Sequence, residues 1–238
     1  MIKKPSKFWL YTDGLRAFLE FIVFCFFRLF YKYKKVGDGH PVLVIPGFMG
    51  SGLSTKPLRK FINKHGYTAY DWGLDRNLAN FDDLEFLALK IEDLFNRHNK
   101  KVTLIGWSLG GVYARQLAKG QPDKVRQVIT MGSPFNGVTE PNNARWLYEW
   151  VKKREGTAEI GDDVLADLPN PAPVPTTAIY SKMDGIIPWQ VCMEREEDKT
   201  HQNVEIAGSH FGFGWNPSAM KIIINRLQYD ESNWAHYK

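Results

Sequence analysis

The chain has 238 residues, 44% hydrophobic and 24% charged, an ordinary balance for a single α/β domain with one sizeable core. Its net charge of +5 is local: residues 1–35 hold eight basic and two acidic residues, and the rest is close to neutral. A neutral body without a basic stripe argues against nucleic acid as a partner. The two cysteines, Cys25 and Cys192, fit no disulfide framework and no zinc-ligand spacing, and point to a reducing, cytoplasmic setting.

Residues 15–31, LRAFLEFIVFCFFRLFY, predict an apolar helix with Arg16, Glu20 and Arg28 at helical spacing on one side. The uninterrupted apolar run from Phe21 to Phe27 is far shorter than the roughly 20 residues that span a bilayer. Lys32, Lys34 and Lys35 follow without a small-residue cleavage site, which argues against a signal peptide. The segment is expected either to lie at a membrane surface, with lysines meeting anionic headgroups, or to pack over an apolar groove of the body. Composition thus divides the chain into this segment, 1–35, and a body, 36–238.

In the body, residues 41–45 (PVLVI) predict a buried strand ending in a Pro-Gly turn, 54–65 a short helix and 67–72 a strand. Leu84, Leu87, Ile91, Leu94 and Phe95 give residues 82–98 a helical period. Residues 102–106 (VTLIG) predict a strand, 109–119 a helix and 125–132 a strand. Later strands are expected at 176–181 and 203–208, with a closing helix at 217–227. Strands alternating with helices imply βαβ units and a mostly parallel sheet. Residues 135–175 break the alternation: an aromatic helical stretch at 144–153 returns to the sheet through LPNPAPVP, as a helical cap inserted over one end of the sheet would.

Gly106-Trp107-Ser108-Leu109-Gly110-Gly111 sits between a predicted strand and a predicted helix. A serine on a sharp strand-to-helix turn projects its hydroxyl above the sheet, and the flanking glycines remove side chains that would collide as strand and helix pass. The helix N-terminus behind it offers free N–H groups to an oxyanion. A serine hydroxyl needs a histidine base and an orienting carboxylate. Of six histidines, His210 in GSHFGFG directly follows the last predicted strand, and Asp184 follows the strand before it. Asp162, Asp163 and Asp167 belong to the insertion, and Asp198 lies in a charged run. The N–H groups of Leu109 and of Phe48, in the loop PGFMGS (46–51), are the expected oxyanion donors.

These elements resemble the α/β-hydrolase superfamily, in particular its lipase and carboxylesterase branches, over roughly residues 40–227. The resemblance rests on Pro46-Gly47-Phe48, the Gly106–Gly111 motif, Asp184-Gly185 and His210, and RQVITMGSP (126–134) also resembles the lipase strand after the elbow helix. It implies an α/β-hydrolase fold, with a mostly parallel sheet flanked by helices, and a serine hydrolase acting on carboxylic esters without metal or organic cofactor. Many lipases have His-Gly where this chain has Pro46-Gly47. Trp107, Trp146 and Trp150, with Tyr148, favour an apolar, lipid-like acyl group and are the expected substrate-binding residues. The alternatives are acyl transfer through the same triad, or a membrane-associated binding protein on an inactive scaffold.

Overall fold

Six strands and seven α-helices make up the computed structural model, which describes residues 2–156 and 160–238. The strands are β1 (Pro41–Ile45), β2 (Thr68–Asp71), β3 (Val102–Trp107), β4 (Val125–Met131), β5 (Thr176–Tyr180) and β6 (His201–Glu205). They form one sheet in the order β2-β1-β3-β4-β5-β6, with every neighbouring pair parallel. All residues of β1, β3 and β5 are buried, as expected of parallel strands covered on both faces.

The period-2 alternation of the strands sorts their side chains into two cores. Val42, Val44, Ile105, Ile129 and Ile179 meet helices α1 (Lys7–Phe30), α2 (Gly52–Lys64) and α7 (Pro217–Leu227). Leu43, Ile45, Leu104 and Val128 meet α3 (Asp83–His98) and α4 (Leu109–Gly120) on the other face. Chain order reverses at the β1/β3 pair, since β1 is flanked by β2 on one side and β3 on the other. The carboxyl ends of strands at such a switch point are where open α/β sheets bind ligands.

Three outcomes differ in detail from the sequence reading. The N-terminal helix begins at Lys7 rather than residue 15, capped by the Ser6 hydroxyl, which accepts from the Trp9 N–H at 3.3 Å. The change in composition near residue 35 does not interrupt the core, because Phe24 is buried among residues of α7 and β1. The last strand lies at 201–205, so His201 begins it rather than preceding it. The insertion holds α5 (Arg145–Glu155) and α6 (Asp162–Asp167), and its residues 157–159 lie outside the described residues.

Arg115 of α4 is fully buried and ties the helix behind Ser108 to the chain near Glu194. Its guanidinium pairs with both Glu194 carboxylate oxygens, donates to the Asn170 carbonyl at 2.8 Å and stacks over Phe135 at 3.9 Å. Removing one member of a buried pair strands the other charge, so Arg115→Leu is expected to destabilise the fold by roughly 3–5 kcal/mol. Urea denaturation of the variant beside the wild type measures it, and a loss under about 1 kcal/mol would show that Glu194 finds solvent or another partner.

Candidate active site

Four loops at the carboxyl ends of the strands converge. Ser108 occupies the turn between β3 and α4 with φ 52° and ψ −123°, a left-handed value that a non-glycine residue holds only under constraint. The constraint is visible: the Ser108 N–H donates to the Met131 carbonyl at 2.8 Å, and its own carbonyl accepts from Gly111 at 3.0 Å. A Cβ on Gly106 would overlap the backbone of Gly110 and Gly111, which is why strand and helix can pass this closely.

Ser108 Oγ lies 3.1 Å from His210 Nε2, and His210 Nδ1 lies 2.6 Å from Asp184 Oδ2. All three side chains are buried. The other Asp184 oxygen, Oδ1, accepts from the Ile186 and Ile187 N–H groups at 2.8 Å each, so the carboxylate is fixed at both ends. This places the His210 proton on Nδ1 and leaves Nε2 to accept from the serine. Burial disfavours the imidazolium, but the charge and hydrogen bond of Asp184, with the charge of Asp13, outweigh it, and the His210 pKa is raised above its usual value. His40, His65, His98, His201 and His236 are engaged elsewhere, His201 for example donating to the Ala172 carbonyl at 2.9 Å.

A cavity of about 330 Å³ opens above Ser108, with Phe48 and Leu109 in its lining. In the loop after β1 the N–H groups of Met49 and Gly50 are taken by Asn77 and Gly47 carbonyls. Among the described hydrogen bonds the Phe48 N–H donates to no protein acceptor. Leu109 is the first residue of α4, where backbone donors lack intrahelical acceptors. The residues that carry both expected donors therefore line the cavity that Ser108 enters.

The three tryptophans expected to bind substrate do not line this cavity. Trp107 points to the opposite face of the sheet, where its Nε1 donates to the His210 carbonyl at 3.1 Å and its ring meets Trp215 edge-on. It braces the His210 loop from behind. Trp146 and Trp150 are 72% and 52% exposed. The cavity side of α5 carries Arg145, Tyr148, Glu149 and Lys152, at helical spacing, and the exposed Trp146 and Trp150 lie outside that stripe. The apolar lining comes instead from Phe48, Phe81, Val138, Ile160, Leu165 and Ile187.

Sequence reasoning missed three residues. Buried Asn77 braces the Phe48 loop: its side-chain amide donates to the Pro46 carbonyl at 2.9 Å, and its backbone exchanges bonds with Met49 and Gly50. Asp13 of α1, also fully buried, accepts from Gly185 N at 2.9 Å and His210 N at 3.0 Å through Oδ2, and from Phe211 N at 3.1 Å through Oδ1. Glu20, two turns on, accepts from Ser209 N at 2.8 Å. A Cβ on Gly185 would overlap the backbone of Trp9, so α1 lies directly on the turn that carries Asp184. One signal was available for Asp13, a lone carboxylate at the start of an apolar helical stretch; Asn77 left none.

Residues 40–167 match the sequence profile of the α/β hydrolase fold. Over 153 residues the chain is 32% identical to mouse serine hydrolase BPHL, covering 56% of this chain and 52% of that protein. It is 26% identical over 107 residues to the pimeloyl-[acyl-carrier protein] methyl ester esterase of Aliivibrio salmonicida, covering 42% and 39%. The chain thus spans about half the length, or less, of these curated relatives. Among solved structures, Aspergillus fumigatus lipase B superposes with a TM-score of 0.63 at 17% identity, covering 83% of this chain and 54% of that one.

Fluorophosphonate labelling of Ser108 should follow the neutral fraction of His210. Because that pKa is raised, reactivity is expected to fall, as pH drops, at a pH above the usual histidine value of about 6.5. Asp13→Asn removes a charge that favours the imidazolium and loosens both catalytic loops. The acidic limb should therefore move to lower pH and the limiting labelling rate fall roughly 10- to 100-fold. An Asp13→Asn protein with wild-type thermal stability, labelling rate and pH profile would leave Asp13 no part in the site.

Proposed function

The chain belongs to the α/β hydrolase fold family, and on that premise we propose that it cleaves apolar carboxylic esters through an acyl-enzyme on Ser108. The observation that carries this reading is the Ser108–His210–Asp184 relay, at 3.1 and 2.6 Å, opening onto a mainly apolar cavity beside two free backbone donors. The names of the two curated relatives, a serine hydrolase and a methyl ester esterase, support the same chemistry.

Ser108 Oγ attacks the ester carbonyl while His210 Nε2 takes its proton. The carbonyl oxygen becomes an oxyanion held by the N–H groups of Phe48 and Leu109. Asp184 keeps Nδ1 protonated and stabilises the imidazolium. Collapse breaks the bond to the alkoxy group, which leaves as an alcohol with the proton from His210. Water then attacks the acyl-enzyme, gives its proton to Nε2 and releases the acid, and the proton returns to Ser108. No step requires a metal or organic cofactor.

The acyl group lies among Phe81, Val138, Leu165 and Ile187. A cavity of about 330 Å³ is at the small end of ligand sites, about 300–1,000 Å³, which supports a short or medium acyl chain over a long one. Leu165 of α6 and Leu109, next to the nucleophile, both pack on the cluster of Val112, Phe135, Leu168 and Ala178 and both line the cavity.

Ser108→Ala should fold and lose ester hydrolysis, and Asp184→Asn should lose about 10⁴-fold in kcat through the wrong His210 tautomer. Both are read with p-nitrophenyl butyrate; turnover near wild type in folded Ser108→Ala would end the acyl-enzyme reading. Across p-nitrophenyl esters from acetyl to palmitoyl, kcat/KM should peak between butyryl and octanoyl. Leu165→Ala should lower the octanoyl-to-acetyl ratio by roughly tenfold, as the loss of one apolar contact does. Trp146→Ala, on the solvent side of α5, should leave that ratio unchanged, and the reverse pattern would return the tryptophans to the acyl site.

A further inference from the structure

Helix α1 is amphipathic the wrong way round for a surface helix. Its carboxylates Asp13 and Glu20 face the protein and are bonded there, and Arg16 pairs with Asp13 on the helix itself, whereas its solvent side is apolar between Lys7 and Arg28 near the two ends. The inward line runs Leu10, Asp13, Ala17, Glu20, Phe24 and Phe27 at three- and four-residue steps. The outward line runs Phe8, Tyr11, Leu15, Phe18, Ile22, Phe26 and Leu29 at the same steps, every one exposed, Leu29 by 75%. Over 24 residues this apolar stripe is about 36 Å long. Monomeric soluble proteins rarely expose a continuous apolar patch of that extent without a partner for it.

We propose that the outward face of α1 lies on an anionic lipid bilayer, with the helix axis in the interface plane. Charge identifies the occupant. Lys3, Lys4 and Lys7 precede the stripe and Lys32, Lys34 and Lys35 follow it, all exposed and without an ion pair among the described residues. A second copy aligned on this face, parallel or antiparallel, would bring lysines against lysines at both ends. Anionic headgroups at both ends of an immersed apolar stripe meet them instead. Spanning is not an option: among the described residues no helix is long and apolar enough to cross a membrane, and the inward side of α1 is committed to the protein. The amino end of α1 also adjoins the cavity wall, since Ile2 and Leu10 pack on the cluster that includes Ile187, and Asn143 donates to the Pro5 carbonyl at 3.3 Å. Docking this way sets the mouth of the cavity near the lipid, and it does not depend on the chemistry of Ser108.

The test is co-sedimentation of the full chain with phosphatidylcholine vesicles, with and without phosphatidylglycerol, at low and high salt. Binding to the anionic vesicles at low salt, weakened by salt, is the expected result. Replacing Lys32, Lys34 and Lys35 together by Gln should weaken it about 100-fold, at roughly fivefold per lysine. Phe18→Glu/Ile22→Glu/Phe26→Glu should abolish binding while thermal stability and Ser108 labelling stay at wild-type levels. If that triple variant fails to fold, the lysine series, which alters no packed residue, decides. Absence of binding to anionic vesicles at low salt would overturn the proposal. So would binding that neither set of substitutions changes, or a wild-type dimer in light scattering that the triple glutamate variant converts to monomer. Loss of esterase activity with vesicle binding intact would count against the reading of Ser108 alone.

Discussion

One carboxylate, Asp13, holds three backbone N–H groups that belong to two different loops of the proposed site. Its oxygens reach Gly185, beside the acid, and His210 and Phe211, at the base. Hydrogen bonds to an ionised acceptor are about twice as strong as neutral ones. Inside the protein, away from water, the three N–H groups would otherwise be left without partners at a cost of about 1–3 kcal/mol each. The separation of Asp184 and His210 is therefore set by a group outside both loops and outside the sheet. Arg16 pairs with the same carboxylate at 3.2 Å, so the buried charge is itself compensated.

The nucleophile is positioned by a different device. Ser108 is held by sheet geometry: a left-handed backbone between β3 and α4, tied to Met131 on the next strand. The donor loop after β1 is fixed by a third, the buried amide of Asn77, in a chain that has Pro46-Gly47 where many lipases carry His-Gly. The parts of the site are thus braced independently, and they meet only where the strands end. Trp107 is the cross-link: its backbone precedes the serine and its indole holds the carbonyl of the histidine.

What the sequence discloses follows the range of the interaction involved. Strand and helix identity, the serine turn and the chain order of acid and base are written in short windows, because period, glycine spacing and turn residues are local properties. The boundaries of β6 and α1 differ from those the hydrophobic run predicts, because strand pairing with Thr176–Tyr180 and a Ser6 cap decide them. The inward face of α5 is hidden in the sequence for a similar reason. Trp146 and Trp150 are the largest apolar groups there, yet the cap turns Tyr148 inward, and aromatic content alone carries no direction. Asp13 and His210 stand 197 residues apart, and no local pattern links them.

That separation has a consequence for synthesis. Helix α1 is synthesised well before the loop it grips. At about 5–20 residues per second, some 10–40 s pass between Asp13 and His210. For that interval the helix has apolar groups on both sides and two carboxylates, Asp13 and Glu20, without their loop partners. The contact between α1 and the 209–211 turn is also of very high sequence separation, the kind whose loop-closure entropy slows folding. Asp184 and His210 are therefore braced against each other only once α1 meets the 184–185 and 209–211 turns, so a nascent chain that ends before residue 209 carries the serine turn without the histidine that faces it.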